Sequence, residues 1–515
     1  MKKIYTLFIA GALLLGANSC TSDFDEINTN PAAFNKLTND DYAGMLRRAA
    51  RYGLLGGDYQ LNQGLHSDLY AQYFSTTVTY FSSDRYEYHT GWDYYLWYVD
   101  LTTVAPCCKT IQANFAENTA EYAISQIIYA ASFLELTDRA GAVPYGAGNG
   151  EAAPFVDART AYHSILDDLA HAASVLSSSS STIYAGRDMM FGGDVAKWAK
   201  YANTLRLRTA MRLVNKESDY AKTEAEAAYS AGVMTSTADD AWFEQTGVND
   251  FRNYHAQTGV WNEFGMSSTI YSYLKGWSDP RLPIFFQPAA STGVFHSARN
   301  AMPSSDITIA NQTTSSYVSN MGTKWIVYDG TSPSGNYNVP RLILPAAEAY
   351  FLRAEGALRG WNMGGTAEEL YYKGIETSMA QWGVSASDAN AYKAVITDPA
   401  APGDYYNSPA VCTNLPVKWV EGDTEKELQQ IITQKWLALY TASPNAWAEY
   451  RRTGYPILYN IIKSDDTDIQ VGQFIQRLKY PDQLKNSEGE DVMQKAIELN
   501  GASKDSQATK LYYAK

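Results

Sequence analysis

Two stretches of the chain interleave aromatic rings with hydrogen-bonding side chains. A flat ring with a polar edge stacks on the apolar face of a pyranose sugar, while neighbouring polar groups bond the sugar hydroxyls. The chain contains 39 tyrosines and 12 tryptophans, and this aromatic excess indicates a binding surface. Because most Tyr and Trp side chains in a large domain pack in the core, we consider only clusters in loop-rich sequence as ligand candidates.

The first cluster is Thr79–Tyr86, which lies between helical segments and alternates rings with polar groups. Its candidate ligand-binding residues are Tyr80, Phe81, Arg85 and Tyr86. Trp92, a few residues further along the chain, is a candidate as well. The second cluster occupies turn-rich sequence and consists of Asn253, Trp261, Trp277 and Trp325. For every one of these residues, packing in the core is the competing interpretation. A helical pattern begins at Trp97 and Tyr98, so both are predicted to be core residues.

No catalytic or metal-binding motif is found in the sequence. HExxH, GxSxG and phosphate-loop patterns do not occur, and the glycines of 146–150 lack the spacing of a dinucleotide loop. The aspartates Asp465, Asp466 and Asp468 lack the glycine and distal glutamate of a calcium loop. We therefore predict a protein that is not an enzyme and has no cofactor or metal. A glycoside hydrolase stays open as an alternative, because sequence does not show the separation of two carboxylates.

The charge balance excludes nucleic acid as a partner. The formal net charge is −14, whereas phosphate binding requires a basic face. Apart from Cys20, the cysteines are Cys107, Cys108 and Cys412, an odd number without CxxC spacing. Neither a disulfide framework nor a zinc site is implied, and buried free thiols are expected.

The first residues predict export and lipid anchoring. Lys2 and Lys3 precede a short apolar run that ends in small residues before Cys20, which is typical of a signal peptide over residues 1–19. Acylation of Cys20 would hold the mature chain on a membrane. Ala17 stands where the lipoprotein signal usually has Leu, so secretion without a lipid is the alternative. Removal of residues 1–19 takes away two lysines and moves the net charge from −14 to −16.

Helical periodicity dominates two regions, about 38–232 and 341–460, which flank a loop-rich insert of about 233–340. Small residues at helix contacts and bulky rings on the next helix are typical of degenerate tetratricopeptide-like pairs. The predicted fold class is all-α, with tetratricopeptide-like helix pairs forming a superhelical scaffold around that insert. Arginines in the helical pattern are predicted to tie helices together through hydrogen-bonded pairs; they are Arg206, Arg208, Arg451 and Arg452.

Several short segments occur in an order that resembles one known family. In chain order they are residues 24–31 (FDEINTNP), 137–139 (TDR), 143–145 (VPY), 198–208 (WAKYANTLRLR), 279–281 (DPR), 347–348 and 354–355 (AE), 434–436 (QKW) and 449–456 (EYRRTGYP). Together they resemble the SusD/RagB outer-membrane lipoproteins over nearly the whole chain. The acidic residues after Cys20 also resemble the signal that places such lipoproteins on the cell surface.

The resemblance implies a single SusD-like domain over residues 20–515 that captures nutrients, usually oligosaccharides, at the cell surface. It also implies a partner, a TonB-dependent outer-membrane transporter of the SusC kind that receives the ligand. A peptide-capturing lipoprotein of the same family is the alternative, since extended peptides also use aromatic grooves. A purely scaffolding repeat protein would bind no ligand. Ligand-contacting positions vary within the family, so the resemblance transfers no site residue.

Overall fold

The computed structural model describes residues 37–148, 153–179, 181–245, 252–309 and 317–515. The predicted signal peptide and Cys20 lie outside the described residues. The chain divides into two units, residues 1–44 and 45–515. In the first unit, a helix begins after Thr38, whose backbone N–H donates to Asp41 Oδ2 at 2.8 Å. Among the helices that the structure describes, none is both long and apolar enough to span a membrane.

Helices make up most of the described chain. In chain order they are α1 (Asn39–Gly53), α2 (Ser67–Tyr70), α3 (Thr90–Val99), α4 (Ala105–Asn114), α5 (Ala120–Ala140), α6 (Ala158–Ser177), α7 (Val195–Leu213), α8 (Ser218–Ala231), α9 (Tyr254–Trp261), α10 (Ser268–Gly276), α11 (Leu282–Phe285), α12 (Ser304–Ile309), α13 (Ala346–Leu358), α14 (Ala367–Gln381), α15 (Ala386–Lys393), α16 (Thr424–Ala438), α17 (Ser443–Thr453), α18 (Asp482–Glu488) and α19 (Glu490–Leu499).

Helices consecutive in the chain pack side by side, α4 on α5, α5 on α6, α6 on α7, and α7 on α8, and α13 packs against α14 and α16. Their starts are set by side chains that accept orphan backbone N–H groups, such as Asp157 from Thr160 at 2.8 Å and Asp194 from Ala196 at 3.0 Å. The central helix α5 is buried over most of its circumference. These pairs confirm the predicted all-α class.

A buried network of charges joins five of these helices. It contains four carboxylates and four cations, namely Asp138 (α5), Arg208 and Arg212 (α7), Glu348 and Glu355 (α13), Lys435 (α16), and Glu449 and Arg452 (α17). Arg208 binds Glu348 at 2.6 Å, and Arg452 binds Glu355 at 2.5 Å. Positive and negative charges are equal in number, and the Arg208–Glu348 and Arg452–Glu355 pairs each form two hydrogen bonds. The network therefore gives each buried charge a partner, without which its burial would be strongly unfavourable.

The arginine prediction is confirmed. Arg206 pairs with Glu224 at 2.7 Å, Arg208 and Arg452 belong to the charged network, and Arg451 donates to the carbonyl of Asp138 at 2.6 Å. Among the described residues Cys107, Cys108 and Cys412 are free thiols, and Cys108 is buried.

The sheets are small and two-stranded. The strands are β1 (Phe74–Thr76), β2 (Ala241–Phe243), β3 (Phe264–Met266), β4 (Ile326–Asp329), β5 (Ser332–Gly335) and β6 (Arg341–Leu344). All three pairings, β1 with β3, β2 with β6 and β4 with β5, are antiparallel. Only β1 and β6 lie outside the predicted insert, so two of the pairings connect the insert to the helical scaffold.

One core prediction from the helical pattern is wrong. Trp97 is buried, as predicted, but Tyr98 is 49% exposed. The two residues are adjacent on α3, and successive positions of a helix point about 100° apart, so one can face the core while the other faces solvent.

Candidate functional site

Strand pairing brings the loop of the first aromatic cluster beside the segment that follows Trp261 of the second. Phe74 of β1 lies opposite Met266 of β3, and the backbone N–H of Thr77 donates to the carbonyl of Glu263 at 2.9 Å. The loop that follows β1 therefore lies beside the turn that precedes β3. As a result Tyr80 contacts Glu263, which is 183 residues away in sequence.

Two exposed and two partly buried rings lie at this junction beside one carboxylate, and we name this group of residues the Tyr80 patch. Its members are Gln60, Tyr80, Phe81, Trp92, Trp261 and Glu263. Tyr80 is 65% exposed and Trp261 is 45% exposed, values far above those of core rings. The ring centroids of Tyr80 and Phe81 are 4.8 Å apart, and those of Phe81 and Trp92 are 5.7 Å apart. Trp261 ends α9, two residues before Glu263.

Glu263 is the polar centre of the Tyr80 patch. Its Oε1 accepts from the Tyr80 hydroxyl at 3.3 Å, and its Oε2 accepts from Gln60 Nε2 at 2.5 Å. Burial raises the pKa of Glu263, and the hydrogen bonds from Tyr80 and Gln60 work in the opposite direction. A carboxylate beside solvent-accessible rings can accept from sugar hydroxyls while a ring covers the apolar face of the sugar.

Buried groups bind the loop that carries Tyr80 on the side that faces the protein interior. Asp84 accepts the backbone N–H of Ala301 at 3.0 Å, and burial raises its pKa to about 6. The Phe81 ring stacks on Phe264 with centroids 6.0 Å apart and planes 6° apart. These contacts fix one side of the loop, so Tyr80 is presented to solvent by a rigid support.

Helix α9 is fixed at the end opposite Trp261. Asn253 accepts the backbone N–H of His255 at 2.9 Å and donates to the carbonyl of Val339 at 2.8 Å. His255 Nδ1 lies 2.6 Å from the hydroxyl of Tyr59, which donates to Asp68 at 2.5 Å. Burial lowers the pKa of His255 to about 3. The imidazole is therefore neutral, and its hydrogen bond with Tyr59 involves no charge on the ring.

Two predicted ligand tryptophans are core residues, which corrects that part of the prediction. Trp277 is 1% exposed, and its indole N–H donates to the carbonyl of Leu415 at 3.0 Å. Trp325 is 2% exposed and packs on His255 with ring centroids 5.3 Å apart. Neither ring has a free face for a sugar, because protein atoms cover both sides.

Three further candidates are structural for different reasons. Arg85 is buried and donates to Asp465 Oδ2 at 2.5 Å. Tyr86 is buried against Tyr70, with ring centroids 5.7 Å apart. Asn253 is the buried N-cap of α9. The predicted ligand residues that remain at the surface are Tyr80, Phe81, Trp92 and Trp261.

Sequence reasoning missed Gln60 and Glu263. Gln60 lies in the π-helical turn Gln60–Gly64, far in sequence from either cluster. The only signal for Glu263 was its place two residues after Trp261. The pairing of β1 with β3, which makes both residues part of the patch, has no signature in strands of three residues.

The aspartates considered for calcium bind other side chains. Asp465 accepts from Lys463 at 2.6 Å as well as from Arg85, Asp466 accepts from Gln507 at 2.7 Å, and Asp468 accepts from Lys504 at 2.6 Å. In the described part of the chain, no group of three or more His, Cys, Asp and Glu residues is arranged to hold a metal ion.

Comparisons with known proteins agree on one family. A family profile described as SusD-like, SusD and RagB outer membrane lipoprotein, matches residues 27–514. No curated protein sequence matches the chain. A solved chitin-binding SusD homologue from Flavobacterium johnsoniae is 30% identical, with a TM-score of 0.80 over 92% of this chain and 98% of its own.

A SusD-like protein from Bacteroides thetaiotaomicron is 28% identical, with a TM-score of 0.81 over 92% of this chain and 98% of its own. A SusD homologue from Bacteroides ovatus is 24% identical, with a TM-score of 0.82 over 92% of this chain and 99% of its own. The profile match covers nearly all of the sequence, and each of these structural matches covers 92% of the chain. The chain therefore belongs to the SusD-like family of outer membrane lipoproteins.

Proposed function

We propose that this protein binds oligosaccharides at the cell surface through the Tyr80 patch and delivers them to a TonB-dependent outer-membrane transporter, without cleaving them. The observation that carries the proposal is the patch itself, in which exposed Tyr80 donates to the carboxylate of Glu263 and the Phe81 and Trp92 rings pack in series next to Tyr80 on a rigid support. This combination matches both faces of a pyranose, the apolar ring face and the hydroxyl edge. The chitin-binding relative supports a glycan as the ligand class.

Membership of the family supports the proposed location and partner. SusD-like proteins are outer membrane lipoproteins, so we propose that Cys20 carries the lipid and that the domain faces outward. A binding protein on a membrane needs a route for its ligand, and a SusC-like transporter supplies one. The mature domain then acts as the capture component of a nutrient uptake pair.

The absence of catalysis is supported by the chemistry of the patch. Glycoside hydrolysis uses two carboxyl groups at a defined separation, one as acid and one as base or nucleophile. Among its six members the Tyr80 patch has one carboxyl group, that of Glu263, whereas hydrolysis would need a second.

A glycan array probed with the mature protein tests this function. We expect binding to a restricted set of oligosaccharides, and we expect the bound oligosaccharide to be recovered at its original length after prolonged incubation. Reducing ends that exceed those of a heat-treated control would contradict the non-catalytic proposal. An array without signal, together with binding to extended peptides, would replace glycan capture by the peptide alternative.

A further inference from the structure

We infer that Glu263 makes the Tyr80 patch select neutral or amino-bearing sugars and reject sugars that carry a carboxylate or sulfate. The inference rests on the proposed function and names the charge class of its ligand. Glu263 is suited to this role because it is the polar centre of the patch and lies next to its most exposed ring.

The charge of Glu263 is not neutralised by a neighbour. Its hydrogen-bond partners, Tyr80 and Gln60, are both uncharged. In the described chain, no lysine, arginine or histidine forms an ion pair with Glu263 within 4.0 Å. Two fully buried glutamates of this protein differ in this respect, since Glu348 and Glu355 each bind an arginine.

Cations near the patch are engaged elsewhere. Arg85 donates to Asp465 at 2.5 Å and to the carbonyl of Phe81 at 3.3 Å, so its charge is compensated. His89 contacts Trp92 with ring centroids 3.8 Å apart, and burial lowers the pKa of its imidazole. At neutral pH the patch therefore presents a net negative charge.

An ionised carboxylate only accepts hydrogen bonds. It can receive them from sugar hydroxyls, from an amide N–H or from the ammonium of an amino sugar, which gains a charge-assisted bond. A uronate or sulfate offers no donor at that position and places a second negative charge nearby. At a partly buried site such repulsion lowers affinity by about tenfold or more.

A glycan array with matched sets tests the inference at pH 7.5. Each set shares one backbone and differs in one group, as in oligomers of galactose and galacturonic acid, or of N-acetylglucosamine and glucosamine. Wild-type protein is compared with Glu263→Gln, which keeps the size of the side chain and one acceptor oxygen and removes its charge. Glu117→Gln, at an exposed position outside the patch, is the matched control for the change in net charge.

In the galactose and galacturonic acid set, we expect wild type and Glu117→Gln to bind the neutral member at least about tenfold more tightly than the acidic member, and in the other set to bind the amino member more tightly than the neutral one. In Glu263→Gln this ratio should fall to within about threefold, and the advantage of amino sugars should disappear. Acidic members bound as tightly as neutral ones by wild type, or an unchanged ratio in Glu263→Gln, would overturn the inference and leave glycan capture intact. Failure of wild type to bind any glycan would overturn both.

Discussion

Replacing Glu449 by Gln lowers the free energy of unfolding by about 3–5 kcal/mol, because it leaves buried cations without their shared carboxylate. Glu449 accepts from Arg212 and binds Arg452 at 2.6 Å and Lys435 at 3.1 Å. All four side chains are buried. Urea denaturation at pH 7 measures the change.

The control for this prediction is Glu376→Gln. Glu376 also contacts two lysines, Lys373 at 3.0 Å and Lys393 at 2.5 Å, but in partly exposed pairs. Such pairs contribute about 0–1 kcal/mol, since water screens them. An effect of Glu449→Gln no larger than that of the control would show that the buried network does not hold the helices together.

The same network predicts the acid response. Burial by itself raises the pKa of Glu449, but the charges of Arg452, Lys435 and Arg212 overcome it and hold the pKa well below its usual range. Stability from this carboxylate is thus complete above its unfolded-state pKa of about 4.3 and is lost as the pH falls toward the folded-state pKa. Below about pH 4.3, wild type should lose stability more steeply than Glu449→Gln.

Trp277→Ala is expected to lower the free energy of unfolding by about 3–5 kcal/mol, because it empties a closely packed site and leaves the Leu415 carbonyl without its donor. Trp261→Ala is the matched comparison, the same substitution at a 45% exposed ring. Its effect on stability should stay below about 1 kcal/mol. Denaturation curves of both variants give the two values.

The order of the two variants should be reversed for glycan affinity, which Trp261→Ala lowers and Trp277→Ala leaves unchanged. Under conditions where both are folded, Trp277→Ala should bind oligosaccharide like wild type. Trp261→Ala should lose about 1 kcal/mol of binding free energy, which is roughly fivefold in affinity. Weakened binding by folded Trp277→Ala, with Trp261→Ala unchanged, would show that the ligand surface was assigned to the wrong tryptophan.

The helical scaffold was predictable because its signals are local. Apolar periodicity, capping residues such as Asp157 and Asp194, and arginines within helical patterns all act within a few residues along the chain. Turn-forming composition marked the insert, and the resemblance of ordered motifs added the family. These features needed no knowledge of which distant segments meet.

The site was only partly predictable because exposure is a tertiary property. Trp261 is the last residue of α9 and Trp277 follows α10, so both lie at helix ends in turn-rich sequence, yet one is exposed and the other donates a hydrogen bond inside the core. Composition cannot separate them, since burial depends on which other elements cover each ring. Gln60 and Glu263 belong to the site only because β1 pairs with β3, a contact between distant segments that the sequence does not show.

Calorimetric titration of the Tyr80→Ala/Trp261→Ala variant tests glycan capture by the Tyr80 patch most directly. The ligand is the oligosaccharide with the strongest array signal for wild type. The control is Tyr98→Ala/Tyr405→Ala, which removes two exposed rings that pack instead beside Tyr94 and Tyr406. Circular dichroism confirms that both variants keep the helical fold.

Loss of two stacking rings should cost about 2 kcal/mol or more, so the patch variant should bind roughly thirtyfold more weakly than wild type. The control variant should bind within about twofold of wild type, because its rings lie outside the patch. Wild-type affinity in the folded patch variant, or an equal loss in the control, would contradict binding at the Tyr80 patch.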